Sequence, residues 1–306
     1  LKKLPGWACL WAPRRAPGRS RRVLPFWLFD HIGGMNMLFA VLASGGTLAP
    51  VADRRPHTVC SVIERHNVEL LPASPTFLNL MLMAGMPGRF ALPSLEIVQY
   101  SSEVMPASTL RRFQAAYPRV RLQQTYGLSE TGILPTRSRD SQSTWIRLAG
   151  PGMQARVREG LLELRMDTAM RGYLNAPDPF TPDGWFRTGD RVEAEGEYVR
   201  ILGRDSDVIN TGGEKVDPAE VENVLLMAEG VEDAAVRGEA NAIAGQIIHA
   251  IVKIADSLES PAKFRKHLRK FCANYLPPHK MPQKITLTSE DLHGGRFKKA
   301  RRDTVL

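Results

Sequence analysis

The feature that constrains this chain most is an alternation between residues 35 and 124, where short apolar runs trade places with helical patterns. Residues 47–50, 68–71, 95–100 and 120–124 read as strands, and 35–43, 58–66, 75–84 and 107–117 as helices. Gly45-Gly46 closes the first helix as a C-cap signal. Strands that alternate with helices predict βαβ units and a largely parallel sheet. After Gly150 the pattern changes. Residues 160–165 and 196–202 alternate with period two and predict a small antiparallel region. From Gly203 onward a compact α+β unit is expected. It has a Gly-rich loop at 211–213, then a helix over 218–228 capped by Asp217 and started by Pro218. Strands over 231–237 and 246–254, a basic amphipathic helix over 260–275, a turn over 276–282 and a strand over 284–287 complete it. The fold class is therefore α/β, a mixed βα sheet plus a small antiparallel region, with a small α+β C-terminal domain. No internal repeat is present.

Charge is unevenly placed. Of the net charge of +9, seven positive charges fall in residues 1–23, on Lys2, Lys3, Arg14, Arg15, Arg19, Arg21 and Arg22. The basic balance thus belongs mostly to one end and does not point to a nucleic-acid-binding fold. Residues 11–22 show no helical or strand periodicity and lack the apolar run of a secretory signal. A disordered or out-of-frame leader over residues 1–23 is expected there, or an anion-binding basic arm. Cys9, Cys60 and Cys272 lie far apart, with neither metal-ligand spacing nor a disulfide framework. A reducing, cytoplasmic setting is expected. The longest apolar stretch, residues 35–48, is interrupted at Asn36 and at Ser44-Gly45-Gly46 and is too short to span a bilayer.

Three segments carry the chemistry: Tyr126-Gly127-Leu128-Ser129-Glu130-Thr131-Gly132, then Gly184-Trp185-Phe186-Arg187-Thr188-Gly189-Asp190, then the run from Gly203-Arg204-Asp205 to Thr211-Gly212-Gly213-Glu214-Lys215-Val216. Taken singly, the first also reads as a helix N-cap, the second as a strand turn and the Gly-Gly pair as a hairpin. Together and in this order they resemble the adenylate-forming superfamily of acyl-CoA synthetases, aryl-CoA ligases and peptide-synthetase adenylation domains. Gly172-Tyr173-Leu174-Asn175 and Pro179-Phe180 match that family's spacing as well. The resemblance runs from about Leu24 to the C-terminus. It implies a domain over 24–202 corresponding to the C-terminal part of a large AMP-binding domain, and a small mobile domain over 203–306.

The resemblance also implies roles. These enzymes activate a carboxylic acid with ATP in the presence of Mg²⁺, then pass the acyl group to a thiol of CoA or of a phosphopantetheine carrier protein. Tyr126 would offer a face for adenine, Gly127 a close backbone approach, Ser129 a hydroxyl for the α-phosphate, and Glu130 an oxygen ligand for Mg²⁺. Asp190 would accept from the ribose hydroxyls, and Arg204 would reach ribose or phosphate. Asp205-Ser206-Asp207 is hinge-like, with Ser206 where the family has Asp or Lys. Gly212 and Gly213 would let a pantetheine thiol pass. Ser101-Ser102-Glu103 stands at the adenine turn, with Ser101 where relatives often have Gly. His31 matches a position lining or gating the acyl pocket. The transition-state cation is Lys298 if the Lys-x-x-Arg spacing to Arg301 is followed, or Arg296 if Gly295 is followed; the compact donor Lys298 is preferred.

One part of the pattern is not found. The family's Ser/Thr/Gly-rich loop with a Lys, which wraps the β- and γ-phosphates, has no counterpart in residues 1–28. Ser44-Gly45-Gly46-Thr47 continues into Leu48-Ala49-Pro50 without a Lys and reads as a turn. The expectation is a partial ligase, inactive or nearly so in adenylation alone, or else a non-catalytic remnant that binds AMP, an acyl-adenylate or a carrier protein, or a pseudogene product. Pocket residues over 31–48, 74–83 and 101–125 are mostly apolar and point to an aliphatic or aromatic acid.

Overall fold

The structure is a computed structural model that describes residues 20–148, 150, 152–242, 244–254 and 260–294. It divides into two compact units, with the main boundary between Ile201 and Leu202.

The first unit opens with five strands: β1 (Arg22–Val23), β2 (Thr47–Leu48), β3 (Leu70–Ala73), β4 (Ile97–Tyr100) and β5 (Arg121–Gln124). Helices α1 (Ile32–Ala43), α2 (Pro56–Arg65), α3 (Pro75–Met83) and α4 (Ala107–Ala116) connect them in turn. The sheet order is β2-β1-β3-β4-β5 and every pairing is parallel. Parallel pairing brings all the loops that follow the strands to one edge. The order reverses between β1 and β3, the kind of place where open α/β sheets bind ligands. His31, Ser74, Ser101–Glu103 and Tyr126–Glu130 all follow strands at that edge. Local signals explain the helices. Ser74 accepts from the Phe77 N–H at 3.1 Å and Pro75 opens α3. In α2, Val59, Cys60 and Ile63 form the buried stripe. The strand expected from Val68 starts at Leu70, because the Val68 N–H still bonds the Ile63 carbonyl at 2.9 Å.

β1 corrects the sequence reading. Arg22 and Val23 were expected in the leader, yet Val23 pairs with both Leu48 and Leu70 inside the sheet. The Arg22 N–H donates to the Glu69 carboxylate at 2.9 Å, and its guanidinium donates to the Asn67 carbonyl at 2.7 Å. Arg21 pairs with Glu96 at 3.4 Å. Two of the charges assigned to a basic arm therefore fasten a strand. Residues 1–19 lie outside the described residues.

The rest of the unit is antiparallel. β6 (Tyr126–Leu128) and β7 (Gly132–Leu134) form a hairpin. β8 (Thr136–Ser138), β9 (Trp145–Leu148), β10 (Met153–Arg158), β11 (Leu161–Met166), β12 (Phe186–Glu195) and β13 (Tyr198–Arg204) form a sheet ordered β10-β11-β12-β13-β9-β8. Tyr126, Leu128 and Leu134 of the hairpin share a core with Ile146, Leu162 and Phe186 of this sheet.

The second unit holds β14 (Ile209–Thr211), β15 (Glu214–Val216), α5 (Pro218–Leu225), β16 (Val231–Asn241), β17 (Gly245–Ile254), α6 (Pro261–Ala273) and β18 (Lys284–Thr288). Its sheet order is β15-β14-β17-β16, and β18 lies parallel on β17. Val216, Val221, Leu225, Val236, Ile248 and Leu268 close the core. Asp217 caps α5 by accepting from the Ala219 N–H at 3.0 Å. Among the described residues no helix is long and apolar enough to cross a membrane.

Cys60 and Cys272 are free thiols, both buried. Burial, with Glu64 adding to it at Cys60, lifts them from the ordinary 9.0 to about 12 and about 11. In the unfolded chain both ionise near their ordinary value. Folding is therefore favoured fully below about pH 9 and loses this contribution as the pH climbs toward 12. By pH 11 the loss is on the order of a few kcal/mol. A thiol reagent at neutral pH should label both cysteines only as fast as the native state opens; immediate labelling of either would contradict the burial.

Candidate active site

The Tyr126–Gly132 segment is a tight hairpin, not a helix start. Leu128 pairs with Gly132, and the Thr131 N–H returns to the Leu128 carbonyl at 3.2 Å. Gly132 takes a φ of 70°, which closes a three-residue loop of the turn-plus-bulge kind. Ser129 sits exposed at the tip. Gly127 faces the backbone of β7. A Cβ there would stand 2.4 Å from the Gly132 carbonyl oxygen and 2.7 Å from the Ile133 Cα. This glycine is therefore required by the hairpin before any ligand is considered.

Thr188-Gly189-Asp190 lies inside β12 rather than in a turn between strands. Register passes from Glu163 opposite Arg187 to Leu161 opposite Arg191, so β12 carries extra residues at this point. Gly189, at a φ of 73°, makes this bulge. The bulge turns both neighbours inward, leaving Thr188 and Asp190 only 4% and 5% exposed. The Thr188 hydroxyl donates to the Leu162 carbonyl at 2.8 Å and accepts the Asp190 N–H at 3.0 Å. The Asp190 carboxylate is thus fixed from behind.

The two motifs meet. The Tyr126 hydroxyl donates to Asp190 Oδ2. Here the structure differs from the expected open platform for adenine. The Tyr126 ring is 8% exposed and packed among Leu128, Leu134 and Phe186. What it supplies is a positioned hydroxyl on Asp190.

Glu130 is the next carboxylate along the hairpin. The Tyr173 hydroxyl donates to its Oε1 at 2.7 Å, and its backbone carbonyl accepts the Met170 N–H at 2.8 Å. The loop bearing Tyr173 is thereby latched to the hairpin. Tyr173 carried only a spacing match in the sequence; the pairing was hidden because the contact spans 43 positions. Among the described residues no group of three His, Cys, Asp or Glu side chains is arranged to hold a metal. As a lone carboxylate, Glu130 would suit a magnesium ion only with phosphate oxygens and water completing the shell.

The remaining candidates have structural partners of their own. His31 is the N-cap of α1, its Nδ1 accepting the Gly33 N–H at 3.2 Å. This fixes the tautomer with the proton on Nε2. Glu103 reaches across to α3, where its Oε2 accepts the Thr76 N–H at 3.1 Å. Ser102, not Ser101, occupies the left-handed region, at a φ of 70°. Glu103→Ala is expected to lower unfolding stability by about 1 kcal/mol through loss of this second cap. An unchanged denaturation midpoint would show that the cap is unimportant.

In the second unit, Gly212 and Gly213 take φ values of 60° and 89° and form the two-residue turn between β14 and β15. Arg204 is exposed, and Asp205–Asp207 is a single 3₁₀ turn. Lys298 and Arg296 lie outside the described residues.

The profile described as AMP-binding enzyme matches residues 7–165, and that described as AMP-binding enzyme C-terminal domain matches 220–295. The chain belongs to the AMP-binding enzyme family. Among similar curated proteins, a 4-coumarate–CoA ligase-like protein of Oryza sativa subsp. japonica is 26% identical over 93% of this chain and 50% of its own length. Triostin synthetase I of Streptomyces triostinicus is 31% identical over 81% of this chain and 50% of its own length. The 2,3-dihydroxybenzoate-AMP ligase of Bacillus subtilis is 29% identical over 81% of this chain and 49% of its own. An anthranilate CoA ligase solved with anthranoyl-AMP shares the fold at a TM-score of 0.79 and 21% identity, covering 95% of this chain and 60% of that one. The chain spans about half the length of the curated relatives it matches. Family membership and the adenylate-forming fold are thus established for both motif-bearing units.

Proposed function

We propose that this chain carries the adenylate-binding side of an AMP-forming acid–thiol ligase. The observation that carries the reading is the convergence of the Tyr126–Gly132 hairpin and the Thr188–Asp190 bulge on one buried carboxylate. A carboxylate offers two acceptor oxygens, which suits a pair of ribose hydroxyls. Ser129, exposed at the hairpin tip, donates to an α-phosphate oxygen. Glu130 holds a magnesium ion, which when bound offsets phosphate charge. Ser102 and Glu103, at the end of β4, border the adenine. His31, fixed by its capping bond, borders the acid.

In the complete reaction a carboxylate oxygen attacks the α-phosphorus of ATP and pyrophosphate leaves. A thiol then attacks the acyl carbon of the acyl-adenylate, and AMP leaves. Lys298, or Arg296 in its stead, supplies the cation that steadies the first transition state. Arg204 contacts the nucleotide. Motion about Asp205–Asp207 exchanges one face of the small domain for another, and the Gly212-Gly213 turn borders the thiol of CoA or of a phosphopantetheine carrier. The acid is a small, largely apolar carboxylic acid. Free, buried Cys60 and Cys272 suit a reducing compartment such as the cytoplasm.

This chain does not complete the adenylation by itself. It has no Ser/Thr/Gly-rich loop with Lys for the β- and γ-phosphates before Phe29. A further observation favours a missing cover: Leu28, Phe29, Phe39 and Leu42 stand 41%, 47%, 41% and 64% exposed along α1 and the segment before it. An apolar face of that kind marks a contact surface. The test is exchange of labelled pyrophosphate into ATP by the purified chain with a panel of acids. Exchange at background is expected; brisk exchange would sink the half-site reading. Background exchange with retained AMP binding also suits a non-catalytic AMP-binding role.

A further inference from the structure

A second concave site lies at the opposite end of β5 from the hairpin. It is a groove of about 860 Å³ between the α4–β5 turn, the β8–β9 loop and β13. That volume is within the range of small-molecule sites. Arg119, in the turn before β5, and Arg121, the first residue of β5, are both exposed and both line the groove. Among the described residues neither has an ion-pair or hydrogen-bonding side-chain partner. The other wall is fixed. Arg200 pairs with Glu193 and lies 5.2 Å from the Trp145 ring centre, while Arg139 covers the same ring at 5.3 Å. Ser143 Oγ accepts the Trp145 N–H at 3.1 Å, which leaves its own proton to donate into the groove. Asp140 is the one carboxylate of the lining, and its Oδ1 is turned to the Gln142 N–H at 2.7 Å.

We propose that this groove binds a phosphate-bearing small molecule, its phosphate held between Arg119 and Arg121 and met by the Ser143 hydroxyl. Two guanidinium forks lining one groove match a phosphate better than any neutral group. The site is separate from the candidate active site. Four residues of extended chain, at about 3.3 Å each, lie between Arg121 and Tyr126. The inference does not rest on the proposed ligase reaction.

The probe is inorganic pyrophosphate, titrated calorimetrically at low salt into the intact chain, into Arg119→Ser/Arg121→Ser, into Arg119→Lys/Arg121→Lys, and into Ser129→Ala. The serine pair is expected to weaken binding at least about tenfold. The lysine pair should retain part of it, and Ser129→Ala should leave this phase unchanged. Exposed substitutions of this kind preserve the fold, which far-UV circular dichroism checks. Equal binding by the serine pair, or no saturable binding up to about 10 mM, overturns the proposal. Loss confined to Ser129→Ala also overturns it, since the pyrophosphate would then sit at the candidate active site.

Discussion

Replacing Gly127 with alanine is expected to destabilise the first unit by about 3 kcal/mol. The three nearest atoms the new methyl would meet all belong to the backbone of β7, the closest being the Gly132 carbonyl oxygen at 2.4 Å. A flexible side chain could swing aside; a paired strand cannot. Relief requires parting β6 from β7, which costs the Leu128–Gly132 and Gly127–Ile133 register and loosens Tyr126 from Asp190. Gly132→Ala makes the useful contrast. Its φ of 70° resists a side chain, but a Cβ there meets nothing within 4 Å. About 1 kcal/mol is expected at that position. Urea unfolding of the two variants tests the ranking, and a larger loss at Gly132 than at Gly127 would contradict the hairpin packing.

Removal of the Asp190 carboxylate has the largest expected effect on ligand binding. Asp190→Ala should weaken AMP binding by about a hundredfold. Asp190 is 5% exposed, its carboxylate accepts from the Tyr126 hydroxyl, and its backbone N–H, in the Gly189 bulge, donates to the Thr188 hydroxyl. Its loss removes the proposed acceptor for the ribose and one hydrogen-bond partner of the buried Tyr126 hydroxyl. Tyr126→Phe separates these effects. It keeps the ring in the core and the carboxylate in place, so it should cost AMP affinity about tenfold or less. If Tyr126→Phe were as damaging as Asp190→Ala, the tyrosine would be a direct ligand contact and not a positioning residue.

Much of the first sheet was legible because buried parallel strands and amphipathic helices leave strong periodic signals. Leu70–Ala73, Ile97–Tyr100 and Arg121–Gln124 stand within two residues of the expected strands. β1 was not legible. Two residues carry no period, and Arg22 sits among basic residues whose partners, Asn67 and Glu69, lie over forty positions away. The buried Val23, Leu24 and Phe26 were the signal that was available. The site motifs were recognisable as segments but not as shapes. Ser129-Glu130 suits a helix start as well as a hairpin tip, and only the pairing of Gly127 with Ile133 decides. Thr188-Gly189-Asp190 suits a turn as well as a bulge, and only the register against β11 decides. Glu103 shows the same limit: its capping of α3 joins positions 27 residues apart. Pairing across distance is what local propensity does not encode.

The proposed adenylate half-site is the Tyr126–Gly132 hairpin together with the Thr188–Asp190 bulge. The most direct measurement is the amide nitrogen–proton spectrum of the labelled chain during titration with AMP. Saturable shifts are predicted at Gly127, Ser129, Gly189 and Asp190, abolished at the same AMP concentrations in Asp190→Ala. No saturable change, or changes that leave both motifs untouched, would contradict the account.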